Sequence, residues 1–193
     1  MNVAIIKYNA GNTRSVYFAL EKLGIHSLIT DDTEAIGKAD KVILPGVGEA
    51  GSAMIYLKEK ALDKLIKNLK QPVLGICLGM QLMCRHSEEG QTDCLNVFEQ
   101  DVLKFDESKK VPQIGWNILH KTSGSLFGSI PENTFMYFVH SYYAGISADT
   151  ISVTDYTTPF SSAIKKNNFY GVQFHPEKSG KYGEQLLKNF LEL

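Results

Sequence analysis

In the first half of this chain, short apolar runs alternate with stretches whose apolar residues recur every three or four positions. That alternation restricts the fold more than any other feature. Residues 2–7 read as a strand. Residues 12–23 read as a helix, with Val16, Ala19, Leu20 and Leu23 at i, i+3, i+4 and i+7 and Gly24 as its stop. A second strand is expected at 25–29 and a third at 41–44, ending in Pro45. Met54, Leu57, Ala61, Leu62, Leu65, Ile66 and Leu69 mark one longer helix before a fourth strand at 72–76. Strands separated by helices run parallel and have both faces covered. After Glu88 the texture becomes strand-rich. A loop at Gly90, Thr92 and Asp93 leads to strands at 97–105, 113–120, 134–140, 150–156, 162–165 and 169–174, with a turn at Lys166-Asn167-Asn168 and a last helix over 180–191. The expected fold is α/β: three layers around an open, mostly parallel sheet with antiparallel additions. With 193 residues and no repeat or Pro/Ser-rich linker, residues 1–193 are expected to form a single domain.

Composition removes several classes of function. Lysine and arginine number 20 against 21 aspartates and glutamates, a net charge of −1, with no basic tract to neutralise phosphates, so nucleic acid is not an expected partner. The longest apolar run, 73–80, falls far short of the ~20 residues a bilayer crossing needs, so no membrane is expected either. The first residues read as a strand broken at Lys7 rather than a signal peptide. Cys77, Cys84 and Cys94 cannot all pair and have no CxxC spacing, which argues against a disulfide framework or a metal site and for a cytoplasmic protein.

The sharpest chemical signal is Gly75-Ile76-Cys77-Leu78-Gly79, where an apolar strand runs into a helical stretch. It reads as a nucleophile elbow with cysteine in place of serine: a sharp turn lifts the side chain above the sheet edge, and glycines allow backbones to approach. The Leu78 N–H would then point at an incoming oxyanion, and the helix start favours thiolate over thiol. Taken alone, the pentapeptide reads more readily as an inert buried cysteine, since free cysteine is among the most buried residue types. Phe174-His175-Pro176-Glu177, after another strand, supplies what a nucleophile needs. The proline holds His175 extended, Glu177 can hold one ring nitrogen, and the other can take the thiol proton and return it to a leaving amine. Pro45-Gly46-Val47-Gly48 ends a third strand and exposes backbone N–H groups, so Val47 or Gly48 is a second oxyanion donor beside Leu78. No GxxxxGK[ST] is present to make this turn a nucleotide cradle.

On these residues the chain resembles the class I, triad-type glutamine amidotransferases. The elbow matches Gly75-Ile76-Cys77-Leu78-Gly79-Met80-Gln81, and the base matches Gly171-Val172-Gln173-Phe174-His175-Pro176-Glu177. More narrowly it is similar to the glutaminase subunits of imidazole glycerol phosphate synthase, in Leu44-Pro45-Gly46-Val47-Gly48, Gly115-Trp116-Asn117, Phe138-Val139-His140-Ser141-Tyr142 and Glu177-Lys178-Ser179-Gly180. Departures at Lys7, Asn9 and Gln113 spare the triad and bear on local loop and partner contacts. The resemblance implies hydrolysis of L-glutamine to glutamate and ammonia through a Cys77 thioester, without a cofactor. The ammonia would pass to a (β/α)8-barrel cyclase in histidine biosynthesis. It also implies substrate contacts at Gly48, Gln81, Ser141 and Tyr142, and a docking face that includes Asn12 and Lys178. Trp116, the only tryptophan, and Tyr137 on the next strand are expected on that face, with a core role for Trp116 as the alternative. A glutaminase of another synthase (anthranilate, aminodeoxychorismate or pyridoxal-phosphate) is opposed by Gly115-Trp116-Asn117 and Glu177-Lys178-Ser179. A catalytically idle binding subunit is opposed by the presence of cysteine, histidine and glutamate together.

Overall fold

The computed structural model describes residues 1–9 and 11–193. The first half builds β1 (Val3–Ile6), α1 (Thr13–Lys22), β2 (Ser27–Thr30), α2 (Thr33–Lys38), β3 (Lys41–Leu44), α3 (Ala50–Glu59), α4 (Leu62–Asn68), β4 (Val73–Ile76) and α5 (Leu78–Met83). Then come the short strands β5 (His86–Ser87) and β6 (Thr92–Asp93), followed by β7 (Asp101–Lys104), β8 (Gln113–Ile118), β9 (Phe135–His140), β10 (Tyr142–Ala144), β11 (Thr150–Asp155), β12 (Pro159–Lys166), β13 (Phe169–Val172) and α6 (Gly180–Leu191). The main sheet runs β2-β1-β3-β4-β13-β12-β10-β7-β5-β6, with β11 beside β12, while β8 and β9 form a separate hairpin. Pairing is parallel from β2 through β13 and turns antiparallel at β12.

The buried strands send alternate residues to opposite faces, as the two-residue period requires. Ala4, Ile6, Val42, Leu44 and Val73 pack with Ile36, Met54, Leu57, Leu62 and Ile66, the inner faces of α2, α3 and α4. Val3, Ile5, Ile43, Leu74, Ile76 and Val172 pack with Val16 and Leu20 of α1, Leu186, Leu187 and Phe190 of α6, and Met136 and Phe138 of β9. These two cores make the three layers. No helix among the described residues is long and apolar enough to cross a membrane.

Several elements differ from the sequence expectation. The helix expected to contain residues 54–69 is two helices, because Ala61 takes a left-handed backbone (φ 56°) between α3 and α4. The apolar spacing continues across the break, with Leu57 and Leu62 each buried. Helix α2 has no counterpart in that expectation: it is a six-residue turn burying only Ile36, capped by the Asp32 carboxylate accepting from the Ala35 N–H at 2.7 Å. The strand expected over 97–105 shrinks to β7. The N–H groups of Leu95, Asn96, Val97 and Phe98 instead donate at 2.8–3.0 Å to the carbonyls of Leu82, Met83 and Cys84 at the end of α5.

Candidate active site

Cys77 stands between β4 and α5 with φ 53° and ψ −110°, a conformation a side-chain-bearing residue rarely adopts. The surrounding structure enforces it. The Cys77 N–H donates to Val172 O at 2.8 Å, and its carbonyl accepts from the Gln81 N–H at 3.1 Å. A Cβ on Gly79 would lie 1.8 Å from Leu44 O, and one on Gly75 would lie 2.7 Å from the Met80 nitrogen, so only glycines let the elbow close against β3 and α5. The parallel register sets Val172 opposite Ile76. Residues that follow β13 therefore emerge at the same sheet edge as the elbow, the carboxyl edge where open α/β sheets hold ligands.

His175 arrives there by that route and is fixed on both sides. Its N–H donates to Tyr137 O at 2.9 Å, and its carbonyl accepts from the Ser179 hydroxyl at 2.6 Å, while that hydroxyl oxygen accepts from the Tyr137 N–H at 3.0 Å. The ring's Nδ1 lies 2.7 Å from Glu177 Oε1, with both side chains fully buried. Burial by itself pushes the imidazole's proton affinity down. The neighbouring Cys77 sulfur, followed by the Glu177 carboxylate, overcomes it and raises the group from 6.5 to about 10. Nε2 is buried without a hydrogen bond of its own. Asn12, expected on the docking rim, turns its side chain inward: Nδ2 donates to Glu177 Oε1 at 2.5 Å and lies 3.3 Å from His175 Nδ1.

A cavity of about 230 Å³ opens over the thiol. Val47, Gly48, Cys77, Leu78, Gln81, Ser141 and Tyr142 line it, so the structure gathers the expected nucleophile, the oxyanion candidates and all four expected substrate contacts. The oxyanion donors are not free, however. The Leu78 N–H donates to Gly46 O at 3.3 Å. Because the Gly46–Val47 peptide is planar, a carbonyl turned toward Leu78 sends the Val47 N–H the other way. The flanking carbonyls are also held, Pro45 O by the Tyr8 hydroxyl and Val47 O by the Gly11 N–H at 3.0 Å.

Gln81 donates through Nε2 to Tyr142 O at 2.8 Å and to Gln173 Oε1 at 2.9 Å, which leaves its Oε1 for a ligand. Glu89 also lines the cavity, and no signal in the sequence points to it. It sits in a 3-10 turn with no motif around it, its Oε2 accepts from the Ala50 N–H at 2.8 Å, and burial raises its proton affinity. Cys84 and Cys94 are no rivals to Cys77: burial pushes the Cys84 thiol far up and the Cys94 thiol up to about 12, where little thiolate forms near neutrality.

The outer face of the β8–β9 hairpin is apolar and uncovered. Trp116 is 55% exposed, which excludes the core alternative, and its ring meets Tyr137 edge-on with centroids 6.0 Å apart. Ile114 and Phe135 are also exposed there, and Lys178 is exposed one residue beyond Glu177. Strand β9 connects this face to the chemistry, since Tyr137 O holds the His175 backbone and Val139 O lies 3.8 Å from the Cys77 sulfur.

A strained cysteine elbow with a buried histidine–glutamate pair, on the carboxyl edge of this sheet, has the arrangement of a triad-type amidohydrolase site. The family model for class I glutamine amidotransferases matches residues 4–193, and the chain belongs to that family. A protein of Bacteroides thetaiotaomicron named imidazole glycerol phosphate synthase subunit HisH is 59% identical over the full length of both chains. Proteins of the same name from Idiomarina loihiensis (48%, all of this chain and 98% of the relative) and Salmonella typhimurium (47%, all of both) are also similar. Among solved structures, the PurLQS structure from Thermotoga maritima shares the fold, with a TM-score of 0.71 at 16% identity over 99% of this chain and 97% of that one. So does the glutaminase domain of Trypanosoma brucei CTPS with bound acivicin, at a TM-score of 0.64 and 15% identity over all of this chain and 94% of that one.

Proposed function

We infer that this chain is the glutamine amidotransferase subunit of imidazole glycerol phosphate synthase, working as a single glutaminase domain in histidine biosynthesis. The observation that carries the chemistry is the buried Glu177–His175 pair beside a cysteine held at φ 53°. In this reading the Cys77 sulfur attacks the side-chain amide carbon of L-glutamine, and His175 delivers its proton to the departing nitrogen. The C–N bond breaks to give ammonia and a thioester, and His175 then takes a proton from the water that hydrolyses it. Glu177 orients the ring and offsets its charge. Gln81 binds the substrate through Oε1 alone, because its amide hydrogens are already engaged, so the group it meets must be a donor. Glu89 supplies the carboxylate for an α-ammonium, with Gly48, Ser141 and Tyr142 completing the pocket. No step calls for a cofactor. The two oxyanion donors, Leu78 and Val47, form a hole once the Gly46–Val47 peptide turns over.

Ammonia released into neutral water is protonated and lost as a nucleophile, so hydrolysis belongs against a docked acceptor. We assign the partner as a (β/α)8-barrel cyclase seated on Trp116, Tyr137, Lys178 and the edge of Asn12, with the complex in the cytoplasm, where three free thiols persist. The assay is glutamate release from L-glutamine by the purified chain, alone and with the cyclase subunit. Release that rises on adding the cyclase is expected, and none in either case overturns the reading. Trp116→Ala is expected to weaken the heterodimer by about 2 kcal/mol or more, the size of an interface hot spot and roughly thirtyfold in Kd. Calorimetric titration measures it. Unchanged affinity, with the variant subunit still melting cooperatively, places the docking face elsewhere.

A further inference from the structure

We propose that Gln173 is a catalytic residue whose side-chain amide donates a hydrogen bond to the Cys77 sulfur and stabilises it as the thiolate. The proposal deepens the glutaminase reading by giving that reaction's nucleophile a second stabilising partner besides His175. Gln173 is completely buried, with Nε2 3.6 Å from Cys77 Sγ. The direction of this contact follows from a fixed group two links away. Tyr142 O is a backbone carbonyl and can only accept, so the side chain of Gln81 must present its NH2 there, at 2.8 Å. The same NH2 lies 2.9 Å from Gln173, which must therefore turn its oxygen to Gln81 and its own NH2 to the sulfur. Reversing Gln81 would set its oxygen against Tyr142 O, and reversing Gln173 would set two NH2 groups against each other, each in a buried site. Gln173 thus couples the residue that binds substrate to the atom that attacks it.

The other groups around the sulfur do different work. His175 and, behind it, Glu177 supply the charged pair. Tyr8, two residues beyond β1, is kept neutral by burial and gives its hydrogen bond to Pro45 O, and burial pushes His140 of β9 down to about 4, so it too is neutral. Val139 O, 3.8 Å away, can accept from a thiol but gives nothing to a thiolate. Among these, Gln173 is the neutral donor, and a hydrogen bond to an ionised group in a dry site is strong enough to shift ionisation by about tenfold.

The test is the pH profile of Cys77 alkylation by iodoacetamide, followed by peptide mapping so that Cys84 and Cys94 are counted separately. Gln173→Met, of similar shape without the donor, is expected to slow Cys77 alkylation about tenfold at pH 6 and to move the profile about one unit to higher pH. Gln173→Glu, which keeps an acceptor for Gln81 but sets an oxygen against the sulfur, moves it at least as far. A role confined to packing would lower the melting temperature and leave the midpoint in place, so folded variants with the parent profile overturn the proposal. On the unaltered protein, the Gln173 side-chain amide resonance must shift across the same pH range, and a resonance indifferent to pH and to alkylation of Cys77 also overturns it. None of these measurements uses glutamine. A chain that shows the shift yet hydrolyses no glutamine sinks the glutaminase reading alone, and an active glutaminase without the shift sinks only the role of Gln173.

Discussion

Cys77→Ala is expected to reduce glutamine hydrolysis by about 10⁴-fold or more, because losing the nucleophile of a triad leaves only binding and oxyanion contributions. The complex with the cyclase should meanwhile still use added ammonium salt, since no part of the acceptor site lies on this sulfur. An electrophilic glutamine analogue should label one thiol. Cys84 is fully buried and gives its hydrogen to Met80 O, and Cys94 gives its own to Thr92 O. Both are held as thiols near neutrality, whereas Cys77 lines the substrate cavity. Peptide mapping that finds the label on Cys84 or Cys94, or a Cys77→Ala protein that still releases glutamate at more than a few per cent of the parent rate, removes Cys77 from the role of nucleophile.

The sequence is most readable where one local rule governs. Strand β3 falls at Lys41–Leu44 because a short apolar run, Val42 to Leu44, followed by proline has no competing assignment, and α6 spans Gly180–Leu191 on a strong apolar stripe. The elbow and the His175-Pro176-Glu177 turn are equally local, and both are found where a strand ends. The features that sequence reasoning misses depend on long-range register or on backbone handedness, which apolar spacing does not encode. Ala61 breaks a helix without breaking its stripe. Asn12 finds Glu177 only because the start of α1 packs against the turn that follows β13. Glu89 reaches the cavity from a turn that touches α3, and Gln173 finds the sulfur because β13 pairs with β4. The two oxyanion candidates line the cavity beside the thiol, yet the orientation of one peptide, Gly46–Val47, decides whether they are available. A glycine in the sequence licenses that rotation without saying which way it stands.

His175→Ala is expected to be nearly as damaging as Cys77→Ala, about 10⁴-fold or more, since it removes both the acceptor of the thiol proton and the donor to the leaving nitrogen. Glu177→Gln should be roughly 10²-fold less damaging. The geometry explains the difference. Glu177 Oε1 accepts from both His175 and Asn12, and an amide oxygen in the same place keeps both bonds. The new NH2 takes the position of Oε2, which is buried with no hydrogen-bond partner, so the substitution leaves a donor unsatisfied at a cost of about 1–3 kcal/mol. What the glutamine cannot do is offset the imidazolium's charge. Glu177 is one of the groups that raise His175 to about 10, so its loss lowers the ring's proton affinity. The imidazolium then deprotonates at lower pH, and the alkaline limb of kcat/KM moves toward neutrality in Glu177→Gln but has no counterpart in His175→Ala. Profiles measured at saturating cyclase decide the matter. Equal losses in the two variants would show that the carboxylate does more than orient and charge the base, and an alkaline limb unmoved by Glu177→Gln would show that it does not charge it.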